Sequence, residues 1–237
     1  MTFSVDLIIY VLFFAAMIFS MYAQFKVSST FNRYSSLPSG SYHTAAEVAR
    51  MILTSHGVHD VKIERVSGNL TDHYDPRTKT LRLSDAVHSS NSAAAIGVAA
   101  HEAGHALQHA EGYVPIKIRG ALVPITNFSS RISWLVIMLG FVFMWVSAET
   151  DSGYYILLAG IALFSVTAVF QLITLPVEFN ASARALADIE NSGWYTEEEV
   201  SRARKVLSAA AMTYVAALFV TIVQIIRLLA VANRRRD

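Results

Sequence analysis

The apolar positions of this chain follow two rhythms, long unbroken runs and short periodic stretches, and the switches between them set its organisation. Residues 3 to 25 are almost wholly apolar, close to the ~20 residues that cross a bilayer. A cleaved signal peptide has a basic start and a shorter apolar stretch; here the only early charge is Asp6, so the run reads as a retained transmembrane anchor. Residues 132 to 148 and 154 to 177 are two more apolar runs, separated by Glu149-Thr150-Asp151-Ser152-Gly153, the pattern of a transmembrane hairpin joined by a tight polar turn. A last run, Val206 to Ala232, is interrupted by Gln224 and Arg227 and followed by Arg234-Arg235-Arg236. Its length predicts a fourth transmembrane helix with Arg227 snorkelling. A segment lying in the interface or re-entering is the alternative, because a span would leave the three arginines on the outer side.

The periodic stretches lie between the first run and the hairpin. Ala45, Val48, Ala49, Ile52 and Leu53 have helical spacing, and Thr44 with Glu47 forms a capping box at its start. Val58 to Val66 alternates like a strand, and Asp75-Pro76-Arg77 is a turn flanked by short alternating segments. A small sheet ending in Lys79 to Ser84 follows from this. The run from Ser92 to Ala100 then predicts a buried helix from Ala93 to Ala110 with Ser92 as N-cap, ended by Gly112-Tyr113-Val114-Pro115. The fold class is mainly α, integral membrane helices with a small α+β domain. Its segments are an anchor at 3–25, a soluble-looking domain at 42–128, the hairpin at 131–177, a helical region at 178–205 and the fourth span at 206–232.

Composition agrees with a membrane protein: 54% of the residues are hydrophobic and 16% charged, against about 25% charged in soluble domains. There is no cysteine, which removes disulfides, thiolate ligands and a cysteine nucleophile. A net charge of +1 gives no reason to invoke nucleic acid. Lys26, Arg33, Lys117, Arg119 and Arg131 flank the apolar runs, so the positive-inside rule puts the N-terminus outside and the 42–128 domain in the cytoplasm.

The chemistry is concentrated in His101-Glu102-Ala103-Gly104-His105. At about 100° per residue, positions 101 and 105 lie one turn apart on one helix face, so both imidazoles can ligate one Zn²⁺ while Glu102 takes a proton from its water. In a chain with 8 histidines this spacing arises by chance about once in a hundred. His109 continues the stripe too far along the axis to share the ion, and reads as packing. Gln108 and Glu111 stand where the metzincin pattern needs Gly and His, which closes that source of a third ligand. The well-placed carboxylate is Glu178, directly after the hairpin; its other reading is a first-turn Glu after Pro176. Because the free ends of a hairpin share one side, Glu178 emerges on the side that holds the histidines. The strand at 79–84 is a candidate rail for an extended peptide. His73 is either an oxyanion donor or an ordinary turn residue, and the Glu197-Glu198-Glu199 run reads as a helix start.

The segments Leu70-Thr71-Asp72-His73-Tyr74-Asp75-Pro76, Val98 to His109 and Leu175-Pro176-Val177-Glu178-Phe179-Asn180-Ala181-Ser182 resemble the YugP-like zinc metallopeptidase family of bacterial membranes over nearly the whole chain. The resemblance implies a gluzincin-like zinc metallopeptidase domain, with Glu178 matching the ligand of a Glu-x-x-Ala-Asp motif. Ser182, a weaker acceptor for a zinc histidine than a carboxylate, stands where the relatives of this family carry Asp. The implied reaction is peptide hydrolysis, with His101, His105 and Glu178 holding zinc, Glu102 as general base, and Asn180, Arg184 or His73 at the oxyanion. Its substrates would be peptides or membrane proteins at the cytoplasmic face of the bilayer. The competing reading is a silent zinc-binding or assembly protein. A metal transporter would need polar residues spread through several spans, and Gln171 and Gln224 are too few.

Overall fold

Long apolar runs become long helices because every backbone group in a bilayer must be satisfied within its own segment. In the computed structural model, which describes residues 2–146 and 151–233 and side chains from residue 7 onward, the chain is mainly helical. The order is α1 (Thr2–Ser35), α2 (Ala45–Ser55), β1 (Lys62–Val66), β2 (His73–Asp75), β3 (Thr80–Ser84), α3 (Ala93–Ala110), α4 (Val114–Val146), α5 (Ser152–Asn191) and α6 (Glu197–Asn233). Four of these, α1, α4, α5 and α6, are long and apolar enough to cross a membrane. The predicted polar turn lies partly outside the described residues, and its Ser152 and Gly153 already belong to α5. The Arg234–Arg236 cluster lies wholly outside them.

The residues divide into two compact units. The first takes residues 1–22, Ile118–Thr174 and those from Tyr214 onward. Within it α4 and α5 approach closely through glycines: a Cβ on Gly140 would meet Leu157 N at 2.6 Å, and one on Gly160 would meet Ile137 N at 2.8 Å. Small residues at a helix contact replace the hydrophobic drive that lipid removes. Ile137, Leu157, Ile161 and Leu228 are buried, while Trp134, Leu135, Leu172 and Ile226 face outward. The Arg227 guanidinium carbon sits 4.2 Å from the centroid of the Phe13 ring.

The second unit takes Ala23–Lys117 and Leu175–Thr213, pieces from before and after the hairpin. Its centre is α3, made of residues small enough to be surrounded. Ala94, Ala99, Ala103 and Leu107 pack among Leu53 of α2, Leu81 and Leu83 of β3, Ile189 of α5, Val206 of α6 and Phe31 of α1. Full burial of a leucine contributes roughly 1.5–3 kcal/mol, and Leu53, Leu81 and Leu83 are each completely buried. Both predicted N-caps form: Thr44 with Glu47 closes a capping box on α2, and Ser92 Oγ accepts from Ala95 N at 3.2 Å on α3. The acidic run Glu197–Glu199 is the first turn of α6, where Glu199 and Thr196 bond reciprocally and Gly40 N donates to Glu199 Oε1 at 2.6 Å.

The sheet overturns the rail expected at residues 79–84. Its order is β1-β3-β2, so β3 is central: parallel to β1 from Lys62↔Thr80 to Val66↔Ser84, antiparallel to β2 at Tyr74↔Leu81. A strand paired on both sides has no free backbone for a substrate. The open edges belong to β1 and β2.

Candidate metal centre

Residue Pro176 does not begin a helix. It lies inside the 40-residue α5, so Glu178 is a mid-helix residue rather than a first-turn one. It comes close to α3 because the two helices touch backbone to side-chain position: a Cβ on Gly104 would lie 2.8 Å from Ala181 O. One turn before Ala181, the Glu178 carboxylate is delivered against both histidines.

His101 and His105 present their rings edge to face, centroids 4.7 Å apart. Glu178 Oε2 lies 3.2 Å from His101 Nε2 and 3.5 Å from His105 Nε2. The Glu178 side chain is 3% exposed and the two histidines 14% and 10%. One ligand atom from each of the three falls within 4.8 Å of the others, so together they could hold a metal ion.

The donor chemistry fits zinc. Two imidazole nitrogens and one carboxylate oxygen are a set that zinc accepts while keeping a fourth position open. The far ring nitrogens are also occupied: His101 Nδ1 lies 3.1 Å from Ser182 Oγ, and His105 Nδ1 lies 3.0 Å from Gln108 Oε1. When Nδ1 donates these bonds, each Nε2 keeps its lone pair for a metal and the ring is fixed in direction.

Behind His105 the bonds continue. Gln108 Nε2 donates to Val177 O at 2.8 Å and to Asn180 Oδ1 at 2.9 Å. Asn180 Oδ1 also accepts from Arg184 Nε at 2.8 Å, and Arg184 Nη1 donates to Glu111 Oε1 at 2.7 Å. Asn180 and Arg184, both considered for the oxyanion, are thus engaged in a network joining α3 to α5. Gln108 was visible in the sequence only as a residue excluding another ligand pattern. That it is a fully buried glutamine three residues after a ligand histidine appears only in the folded chain.

Three groups carry the local electrostatics. Burial raises the pKa of the Glu178 carboxyl, but the bonds from His101 and His105 outweigh burial and hold it well below the usual carboxylate range. Burial disfavours the charged form of His105, but the bond to Glu178 and the nearby Glu102 outweigh it and raise its pKa above the ordinary imidazole value. Burial likewise raises the pKa of Asp72, opposed by its bonds from Ser84 N at 2.7 Å and Ser84 Oγ at 3.0 Å and reinforced by Glu102. Glu102 itself is half-buried, and among the described residues its carboxylate has no hydrogen-bond partner.

The structure does not bring His73 into this group by any described contact. It is exposed, with Nδ1 2.8 Å from Thr71 O and Nε2 3.5 Å from Arg82 Nη1, the turn residue of the second reading. His109 packs against the Tyr74 ring, centroids 5.6 Å apart.

Apolar helices long enough to span, with two histidines from one helix and a carboxylate from another, define the class as a membrane protein with a candidate metal centre. The chain belongs to the family described as "Putative neutral zinc metallopeptidase", which it matches over residues 9–233. It is 45% identical to "Putative membrane protease YugP" of Bacillus subtilis (strain 168) over 223 residues, 94% of this chain and 96% of that protein. No solved structure matches. Zinc is the ion this family leads one to expect at His101, His105 and Glu178.

Proposed function

We propose that the protein is a membrane-embedded, gluzincin-type zinc endopeptidase acting at the cytoplasmic face. The observation that carries this is the Glu178 carboxylate, almost fully buried and within 3.5 Å of both ligand-ready nitrogens. When bound by His101, His105 and Glu178, zinc supplies Lewis acidity that lowers the pKa of water toward ~7 and polarises a scissile carbonyl. The rest of the work belongs to the chain. Ser182 and Gln108 keep the two Nε2 lone pairs aimed, and Glu178 balances charge in a buried place. Glu102, half-buried and bonded to no neighbour among the described residues, takes the proton of the attacking water on its carboxylate and returns it to the leaving amine.

A carboxylate held near two other charged groups and committed to no structural bond favours turnover over silent metal storage. The substrates are peptide segments, including loops of membrane proteins, that reach the cytoplasmic surface; the basic residues Lys26, Arg33, Lys117, Arg119 and Arg131 support that side. The test is cleavage of a denatured reporter protein by the full chain in detergent, with zinc, with chelator and with zinc restored. Cleavage abolished by chelation and regained on readdition is expected. A zinc-loaded protein that cuts nothing would instead make it a metal-binding or assembly protein.

A further inference from the structure

A second concave site lies in the second unit, between the C-terminal part of α1 and the start of α6. It is a cavity of about 390 Å³ whose rim carries four cations, Lys26 and Arg33 from α1 and Arg204 and Lys205 from α6. Their spacing is that of one stripe on each helix, with Thr30 between the first pair and Ser201 and Ser208 flanking the second. The hydroxyls add short polar groups to a cationic wall.

The charges are poorly neutralised by the protein. Arg33 and Lys205 both converge on the buried ring of Tyr34, at 5.6 Å and 5.9 Å from its centroid. Two cations sharing one aromatic ring gain from it but repel each other. Among the described residues neither pairs with a carboxylate, nor does Lys26. Among the described residues Arg204 reaches only the exposed Glu190, at 4.0 Å. Such a cavity favours a compact anion with several acceptor oxygens.

Its position on the helices narrows the anion. Running back from Lys26, α1 turns at once into exposed apolar residues, Phe25, Tyr22 and Met21; running on from the cavity, α6 reaches exposed Tyr214, Val215 and Phe219. Both helices are long and apolar enough to span. A polar, cationic cavity at the boundary of two such runs sits where lipid headgroups lie. We infer that this cavity binds the headgroup of an anionic phospholipid, its phosphate held among Lys26, Arg33, Arg204 and Lys205.

The test uses the full chain in an uncharged detergent, titrated with phosphatidylglycerol, phosphatidylcholine or inorganic phosphate while thermal unfolding is followed. Phosphatidylglycerol should raise the midpoint saturably; phosphatidylcholine and inorganic phosphate at matched concentration should not. The pair Arg33→Gln with Lys205→Gln should weaken the phosphatidylglycerol response about thirtyfold, the effect of two juxtamembrane cations. The pair Lys62→Gln with Arg77→Gln, equal in charge but on the sheet side, should leave it intact. An equal response to phosphatidylcholine or to inorganic phosphate overturns the inference, as does an undiminished response in the first pair. Should that pair fail to fold, photoreactive phosphatidylglycerol on the unaltered protein decides: crosslinks within residues 26–34 and 201–212 are expected, and crosslinks only elsewhere refute it.

Discussion

At the scale of single residues, the site separates groups that would touch the reaction from groups that aim them. Glu102 belongs to the first kind, so Glu102→Gln should keep zinc at the level of the unaltered protein and lower peptide cleavage by about a hundredfold or more, the usual worth of a general base. Metal content by atomic absorption beside a turnover assay checks both halves. Ser182 and Gln108 belong to the second kind. Ser182 makes one bond to His101 Nδ1, so Ser182→Ala should weaken zinc binding by about 10–100-fold with little change in the unfolding midpoint. Gln108 bonds His105 and also ties α3 to Val177 and Asn180, so Gln108→Leu should lose both zinc affinity and stability. Competition against a chromophoric chelator, paired with thermal unfolding, distinguishes the two patterns. His101, Glu102 and His105 could be read from sequence because their relation is local, fixed by one helical turn. Gln108 could not, because its role exists only once α5 lies beside it.

At the scale of elements, the meeting of α3 and α5 depends on an absent side chain. A Cβ on Gly104 would press on Ala181 O at 2.8 Å, and a backbone atom cannot rotate aside. Gly104→Ala should therefore push the helices apart: overpacking costs about 1–3 kcal/mol, more than the ~1 kcal/mol of helix propensity that alanine brings. Zinc affinity should fall with the unfolding midpoint, since Glu178 rides on the displaced helix. Gly120→Ala supplies the control, because nothing lies within 4 Å of its new methyl and the expected change is neutral or stabilising. Elements with their own periodicity were legible: α3 runs from Ala93 to Ala110 with its Ser92 cap, as its alanine run and cap residue indicate. Helix lengths were less so. The run beginning at 132 is the later part of a helix that starts at Val114, because Pro115 suits a first turn and the intervening residues stay helical. The strand order was hidden entirely, since alternation tells which residues form a strand but not which neighbours pair with it. That is why β3 looked available and is instead enclosed.

At the scale of the whole molecule, the second unit is closed by chain segments separated by the hairpin, and protons and zinc compete for the same closure. Without metal, His105 gains a partner in Glu178 and its pKa is raised. A raised histidine pKa contributes stability that is present below the unfolded value of about 6.5 and is lost as pH climbs through the folded value. Metal binding has the opposite sign, because both imidazoles must be neutral to ligate, so zinc affinity falls as pH drops through the same range. The difference in unfolding midpoint between zinc-loaded and chelated protein should therefore widen steadily from about pH 6 to pH 8. Measuring both forms in the same detergent cancels the titrations they share and leaves the site alone. In His105→Gln, with neither the proton site nor the ligand, the two curves should coincide at every pH. A gap between loaded and chelated protein that stays constant across this range would separate the buried Glu178–His105 contact from metal binding, and with it the claim that both halves of the unit close around one ion.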